Sequence, residues 1–129
     1  VVNPGFPVAT GEVFQALNLP FGRLLTSNDP DTTIRRFQQN WKRKRCKQLK
    51  NDLESTVLAR YPLLAEMKAS LREAGCEPVL LCGSGSSLVA ARPAPGLELR
   101  LKKMEVFRTA WIFRGRTITA SRYRGEIGL

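Results

Sequence analysis

Pro78-Val79-Leu80-Leu81-Cys82-Gly83-Ser84-Gly85-Ser86-Ser87-Leu88-Val89-Ala90-Ala91 reads as a strand, a tight glycine loop and a second strand, because two Val- and Leu-rich runs flank a Gly-Ser-Gly-Ser-Ser turn. Glycine at positions 83 and 85 admits positive backbone dihedrals and lets another surface approach the main chain. Two roles are open to such a loop. One is a plain hairpin turn. The other is a cradle in which successive N–H groups and the Ser84, Ser86 and Ser87 hydroxyls converge on an anion. A nucleotide P-loop is excluded, since no Lys follows the glycines and the downstream residues have strand character.

Outward from this stretch, 129 residues suffice for one domain with a real core, and an apolar content of 43% argues for a globular chain. No apolar run approaches the roughly 20 residues that span a membrane, and no charged-then-apolar leader is present. The expectation is therefore a cytoplasmic protein with no membrane partner. Cys46, Cys76 and Cys82 have no metal-ligand spacing and fit free thiols better than a disulfide scaffold. The absence of histidine removes histidine triads, most zinc sites and the commonest general base.

The net charge of +10 is unevenly spread. Residues 35–50 carry eight basic side chains and no acid, from Arg35 and Arg36 through Lys42, Arg43, Lys44, Arg45 and Lys47 to Lys50. From residue 92 to the end, nine basic side chains face three acidic ones. Such clusters either bind phosphates of a nucleic acid or nucleotide, or form a solvated helix face.

Upstream, Val1-Val2-Asn3 resembles the end of a strand that begins elsewhere, as in a fragment or processed chain, and Asn3-Pro4-Gly5 is turn chemistry. Thr10 is the expected N-cap of a short helix from Gly11 to about Leu17, with Val13, Ala16 and Leu17 facing inward. Phe14 lies about 100° round from Val13 and is either core or exposed. Asp29-Pro30 is a helix start, followed by Ile34, Phe37, Trp41 and Leu49 at helical spacing with the basic residues between them. Leu53, Val57, Tyr61, Leu64, Met67 and Leu71 form the clearest helical pattern. Asn51 or Asp52 is its expected cap, Pro62 should divide it, and Gly75 should end it.

Three blocks, Val2-Asn3-Pro4-Gly5-Phe6-Pro7-Val8-Ala9-Thr10-Gly11-Glu12-Val13-Phe14, Asn51-Asp52-Leu53-Glu54 and Gly83-Ser84-Gly85-Ser86-Ser87, together resemble the C-terminal half of the 4-diphosphocytidyl-2-C-methyl-D-erythritol kinases. That family belongs to the GHMP kinase superfamily and phosphorylates a hydroxyl of a cytidine-diphosphate-linked erythritol in non-mevalonate isoprenoid biosynthesis. The resemblance, clearest over residues 1–91, implies an α+β fold, an antiparallel sheet with helices on one face. It implies that Gly83, Ser84, Gly85, Ser86 and Ser87 are a loop closing over the transferred phosphate and substrate. Thr10, Gly11 and Phe14 match the segment in which the aromatic ring packs on the cytosine, and Asn51-Asp52 match a structural pair beside the site.

The phosphate-binding loop of the N-terminal half, with the lysine and aspartate beside the reacting hydroxyl, has no counterpart in this sequence. The resemblance thus implies that ATP and Mg2+ belong to the complete enzyme and that the missing N-terminal half is the partner. No catalytic residue is assigned to this chain, and no activity is expected from it alone. It also implies cytoplasm, or plastid stroma in a photosynthetic eukaryote. After Ala91, Leu97–Phe107 fits helix or strand spacing; helix is preferred, because Thr109–Phe113 supplies a last strand. The division is residues 1–113 as the domain and 114–129 as a basic tail with Arg116, Arg122 and Arg124. Two other readings stay open: a nucleic-acid-binding module centred on Arg35–Lys50 and the tail, and a noncatalytic remnant of the kinase fold.

Overall fold

In the computed structural model, Val79–Leu81 and Leu88–Ala90 pair antiparallel with Leu80 opposite Val89, so the stretch with the glycine loop is a hairpin. The structure describes residues 1–17, 35, 39, 49–116 and 122–124. The helix expected from Pro30 and most of the basic run Arg35–Lys50 lie outside the described residues, as does Cys46. In chain order, Val2–Asn3 is β1, Thr10–Ala16 is α1, Glu54–Arg60 is α2 and Pro62–Glu73 is α3. Val79–Leu81 is β2, Leu88–Ala90 is β3, Leu97–Leu101 is α4, Glu105–Phe107 is a 3-10 turn and Trp111–Ile112 is β4.

The sheet runs β2-β3-β1-β4 with antiparallel neighbours throughout. Side chains alternate across it. Val2, Val79, Leu81 and Leu88 are buried on one face, whereas Val89 and Trp111 are exposed on the other. Helix α3 supplies the covering layer: Leu64, Met67 and Leu71 recur at helical spacing and are essentially fully buried, with Phe107 filling the same core. Each such side chain contributes about 1.5–3 kcal/mol through the apolar surface it removes from water. The α+β expectation holds.

Local chemistry accounts for the breaks. Pro62 occupies the first turn of α3, where its missing N–H costs nothing, and Tyr61 before it leaves helical geometry, so the long pattern becomes two helices. At the far end the Gly75 N–H donates to the Arg72 carbonyl and the Cys76 N–H to that of Leu71, a Schellman closure that needs the positive φ of Gly75, +86°. The ambiguous run after Ala91 is settled by burial: Leu97 and Leu101 are buried and Leu99 is exposed, as a helix requires. Among the described residues no helix is long and apolar enough to cross a membrane.

Three expectations need correction. The N-cap of α1 is Ala9, whose carbonyl accepts the Glu12 and Val13 N–H groups, and no side chain caps the helix. Thr10 already lies inside the first turn, out of the position from which a side-chain oxygen reaches the orphan amides. Ala16 is exposed, because so short a helix anchors itself through Val13. Likewise α2 starts at Glu54 behind Leu53, with no side-chain cap, and neither Asn51 nor Asp52 holds the N-cap position.

Candidate functional site

The glycine loop is clamped from several elements. Asn51 precedes α2 and directs its Nδ2 to the carbonyl oxygens of Leu81, at 2.9 Å, and Gly83, at 2.7 Å. Its Oδ1 accepts the Leu53 N–H, which fixes the amide's orientation. Glu54, in the first turn of α2, accepts the Leu81 N–H at 2.9 Å. The outer edge of β2 is therefore finished by side chains of the α2 leader instead of by another strand. That satisfies backbone groups which would otherwise lie unpaired at a sheet edge.

Behind Glu54 stands Lys68 of α3, with its Nζ 2.5 Å from the second carboxylate oxygen. Lys68 is only 6% exposed. It lies among Leu64, Met67 and Leu71 on the apolar side of α3, where an ammonium is tolerated because a carboxylate meets it. The chain entering from β1 holds the other flank. Asn3 donates to the Ser87 hydroxyl at 2.9 Å, and the buried Ser86 hydroxyl donates to the Phe6 carbonyl. Phe6 in turn stacks on Tyr61 at the α2–α3 junction, with ring centroids 5.6 Å apart.

Within the loop, the Cys82 N–H bonds the Ser87 carbonyl and the Gly85 N–H bonds that of Cys82. Gly83 and Gly85 both have positive φ, and a Cβ at Gly85 would lie 3.1 Å from Leu81 Cδ1. Glycine at position 85 therefore serves backbone geometry and close packing together. The hydroxyls do not converge as the cradle reading pictures them: Ser86 and Ser87 are engaged by Phe6 and Asn3, which fixes the loop's shape.

Ser84 behaves differently. Its hydroxyl and that of Thr10, 74 residues apart in sequence, are 2.7 Å apart and hydrogen-bonded at the surface. Thr10, unused as a cap, joins α1 to the glycine loop. Phe14 follows one helical turn later and is 54% exposed, so the alternative of a core phenylalanine is ruled out. Gly11, between them on α1, is exposed and has no heavy atom within 4 Å of the place a Cβ would take. An ion pair of Glu12 with Arg60 ties α1 to α2 beside this corner. Cys82 stands exposed at the foot of the loop, where partial desolvation raises its thiol above the ordinary value against the opposing pull of the N-terminal ammonium.

The site thus offers paired hydroxyls, a backbone loop of fixed shape and an exposed phenyl ring, groups suited to holding a ligand. Of the residues singled out from the sequence, Thr10, Gly11, Phe14 and Gly83 to Ser87, the fold brings Thr10 and Ser84 into contact. The sequence reading missed the roles of Asn3, Phe6, Glu54 and Lys68. One signal was available for Lys68: it interrupts the apolar stripe of α3, where a charge needs a partner.

No protein-family model matches the chain. Among curated proteins, the 4-diphosphocytidyl-2-C-methyl-D-erythritol kinase of Citrifermentans bemidjiense is 40% identical over 88 residues, 68% of this chain and 29% of the relative. The enzyme of the same name from Geobacter sulfurreducens is 35% identical over 118 residues, 92% of this chain and 40% of the relative. The chain therefore spans well under half the length of the relatives it matches. A crystal structure of 4-(cytidine 5'-diphospho)-2C-methyl-D-erythritol kinase superposes with a TM-score of 0.61 at 24% identity, covering 85% of this chain and 40% of the other, which shows the shared fold.

Proposed function

Since this chain belongs to the 4-diphosphocytidyl-2-C-methyl-D-erythritol kinase family, of which it spans one part, we propose that it forms the substrate-binding and lid half of such a kinase. The reaction is transfer of a phosphoryl group from ATP to a hydroxyl of the cytidyl-linked erythritol, in the cytoplasm, within isoprenoid biosynthesis. Residues 1–113 make the domain and 114–129 its basic extension. The single observation that carries the reading is the Thr10–Ser84 hydrogen bond, which sets the exposed ring of Phe14 and the glycine loop at one corner of the fold.

In this reading Phe14 stacks on the pyrimidine of the substrate. Thr10 and Ser84 present hydroxyls beside it, and the clamped loop from Gly83 to Ser87 brings backbone groups toward the phosphates or the reacting hydroxyl. Phosphoryl transfer depends mainly on positioning and electrostatic stabilisation, so a loop held rigid before the substrate arrives lowers the ordering cost of the reactive complex. The described residues hold no cluster of carboxylate, histidine or cysteine side chains suited to Mg2+. In this reading the nucleotide and its metal belong to the remainder of the kinase, and no step is routed through them on this chain.

Stacking of a base on an aromatic ring contributes about 1–3 kcal/mol, or roughly 5- to 150-fold in affinity. In the complete enzyme, Phe14→Ala is therefore expected to raise KM for the cytidyl substrate by that factor while KM for ATP stays unchanged. Equal effects on the two KM values would overturn the stacking role.

A further inference from the structure

The sheet has a second face, and its chemistry differs from that of the kinase-like corner. Trp111 and Phe113 are 58% and 52% exposed on the side away from the core. Their rings stack with centroids 5.7 Å apart and planes within 5°. The chain passes close against Phe113 at Gly115, where a Cβ would fall 2.9 Å from Phe113 Cε1, and Trp111 is the more exposed of the two rings. Beside the stack lies a cleft of about 370 Å³ bordered by Val89, Phe113 and three arginines, Arg92, Arg114 and Arg116, with no acidic residue in its lining. Between Glu105 and Glu126 the sequence holds five arginines and no acid.

We propose that this open sheet face binds single-stranded nucleic acid, with a base stacked on Trp111 and phosphates held by Arg114 and Arg116. Flat aromatic platforms beside a cationic groove are how sequence-tolerant single-strand binders work, because every base has a π-face and every nucleotide a phosphate. The parallel ring stack favours a planar heterocycle over a lipid bilayer, into which isolated aromatic side chains would have to project. The proposal uses neither Phe14 nor any residue of the glycine loop, so its test is separate from that of the kinase reading.

The test is fluorescence anisotropy of a short labelled oligonucleotide of mixed sequence, RNA and DNA in parallel, titrated with the full chain at about 50 and 200 mM salt. Trp111→Ala is expected to weaken binding roughly 5- to 150-fold. Arg114→Gln with Arg116→Gln should lower the slope of log affinity against log salt by about 1.4, as loss of two phosphate contacts to a single strand requires. Trp111→Phe, which keeps a ring, should retain most of the affinity; it guards against misfolding of the alanine variant, as does a far-UV circular dichroism check. The proposal is overturned if the wild-type chain does not bind at the lower salt, or if binding is indifferent to both Trp111 and the arginine pair. It is equally overturned if phosphatidylserine vesicles, and not oligonucleotides, are bound in a Trp111-dependent way.

Discussion

Asn51 shows how much geometry one side chain can fix. Its amide spans two carbonyls of the hairpin while its own oxygen is held by the Leu53 N–H, so the three contacts lock α2 against the glycine loop. Replacement by Leu leaves those carbonyls without that donor and should destabilise the chain by about 1–3 kcal/mol. Amide hydrogen exchange of residues 82–87 should rise well above that of α3; unchanged loop protection would show that the clamp does not hold the loop. Thr10 illustrates the opposite case, a residue whose local pattern points to a cap but whose hydroxyl is taken by Ser84. Propensity offers a side chain several partners of similar energy, and the nearest one in space wins.

Between α2, α3 and the hairpin, the Glu54–Lys68 pair lets one carboxylate join all three elements. Glu54 is one-turn chemistry for α2, an edge cap for β2 and the counter-charge for α3 at once. Lys68→Met should therefore cost up to about 3 kcal/mol by taking the counter-charge from a largely buried carboxylate that keeps only its bond from the Leu81 N–H. Adding Glu54→Gln should recover part of that loss in urea denaturation, whereas strictly additive effects would show that the two groups do not interact. At the end of α3, Gly75→Ala is expected to cost roughly 1–2 kcal/mol from the left-handed backbone alone, since the space beside it is open. An unchanged urea midpoint would contradict the Schellman closure.

Taken over its full extent, the fold treats its thiols unequally. Cys76 is buried and Cys82 exposed, so iodoacetamide should modify Cys82 before Cys76 and reach Cys76 only on unfolding, as peptide mass mapping would report. For Cys76, burial pushes the thiol above its ordinary 9.0, outweighing the opposing pull of Arg100 and the N-terminal ammonium. The unfolded chain then releases this proton at lower pH than the folded one. Stability contributed by the neutral thiol is present below about pH 9 and is lost as pH rises through the folded value. The fall in unfolding free energy above pH 9 should be shallower in Cys76→Ala, measured against wild type at each pH.

The alternation of Val and Leu around Gly83 and Gly85, the helical spacing from Leu53 to Leu71, the interruption at Pro62 and the stop at Gly75 were all legible as text. They express sterics and periodicity acting over a few neighbouring residues, and together with the three motif blocks they were enough for the hairpin, the paired helices and the family resemblance. The meeting of Thr10 with Ser84, the burial of Lys68 against Glu54 and the open Trp111–Phe113 face were not. Each depends on chain segments brought together only by folding, and on whether water or a counter-charge is left beside a group once the core has closed. No local pattern encodes that.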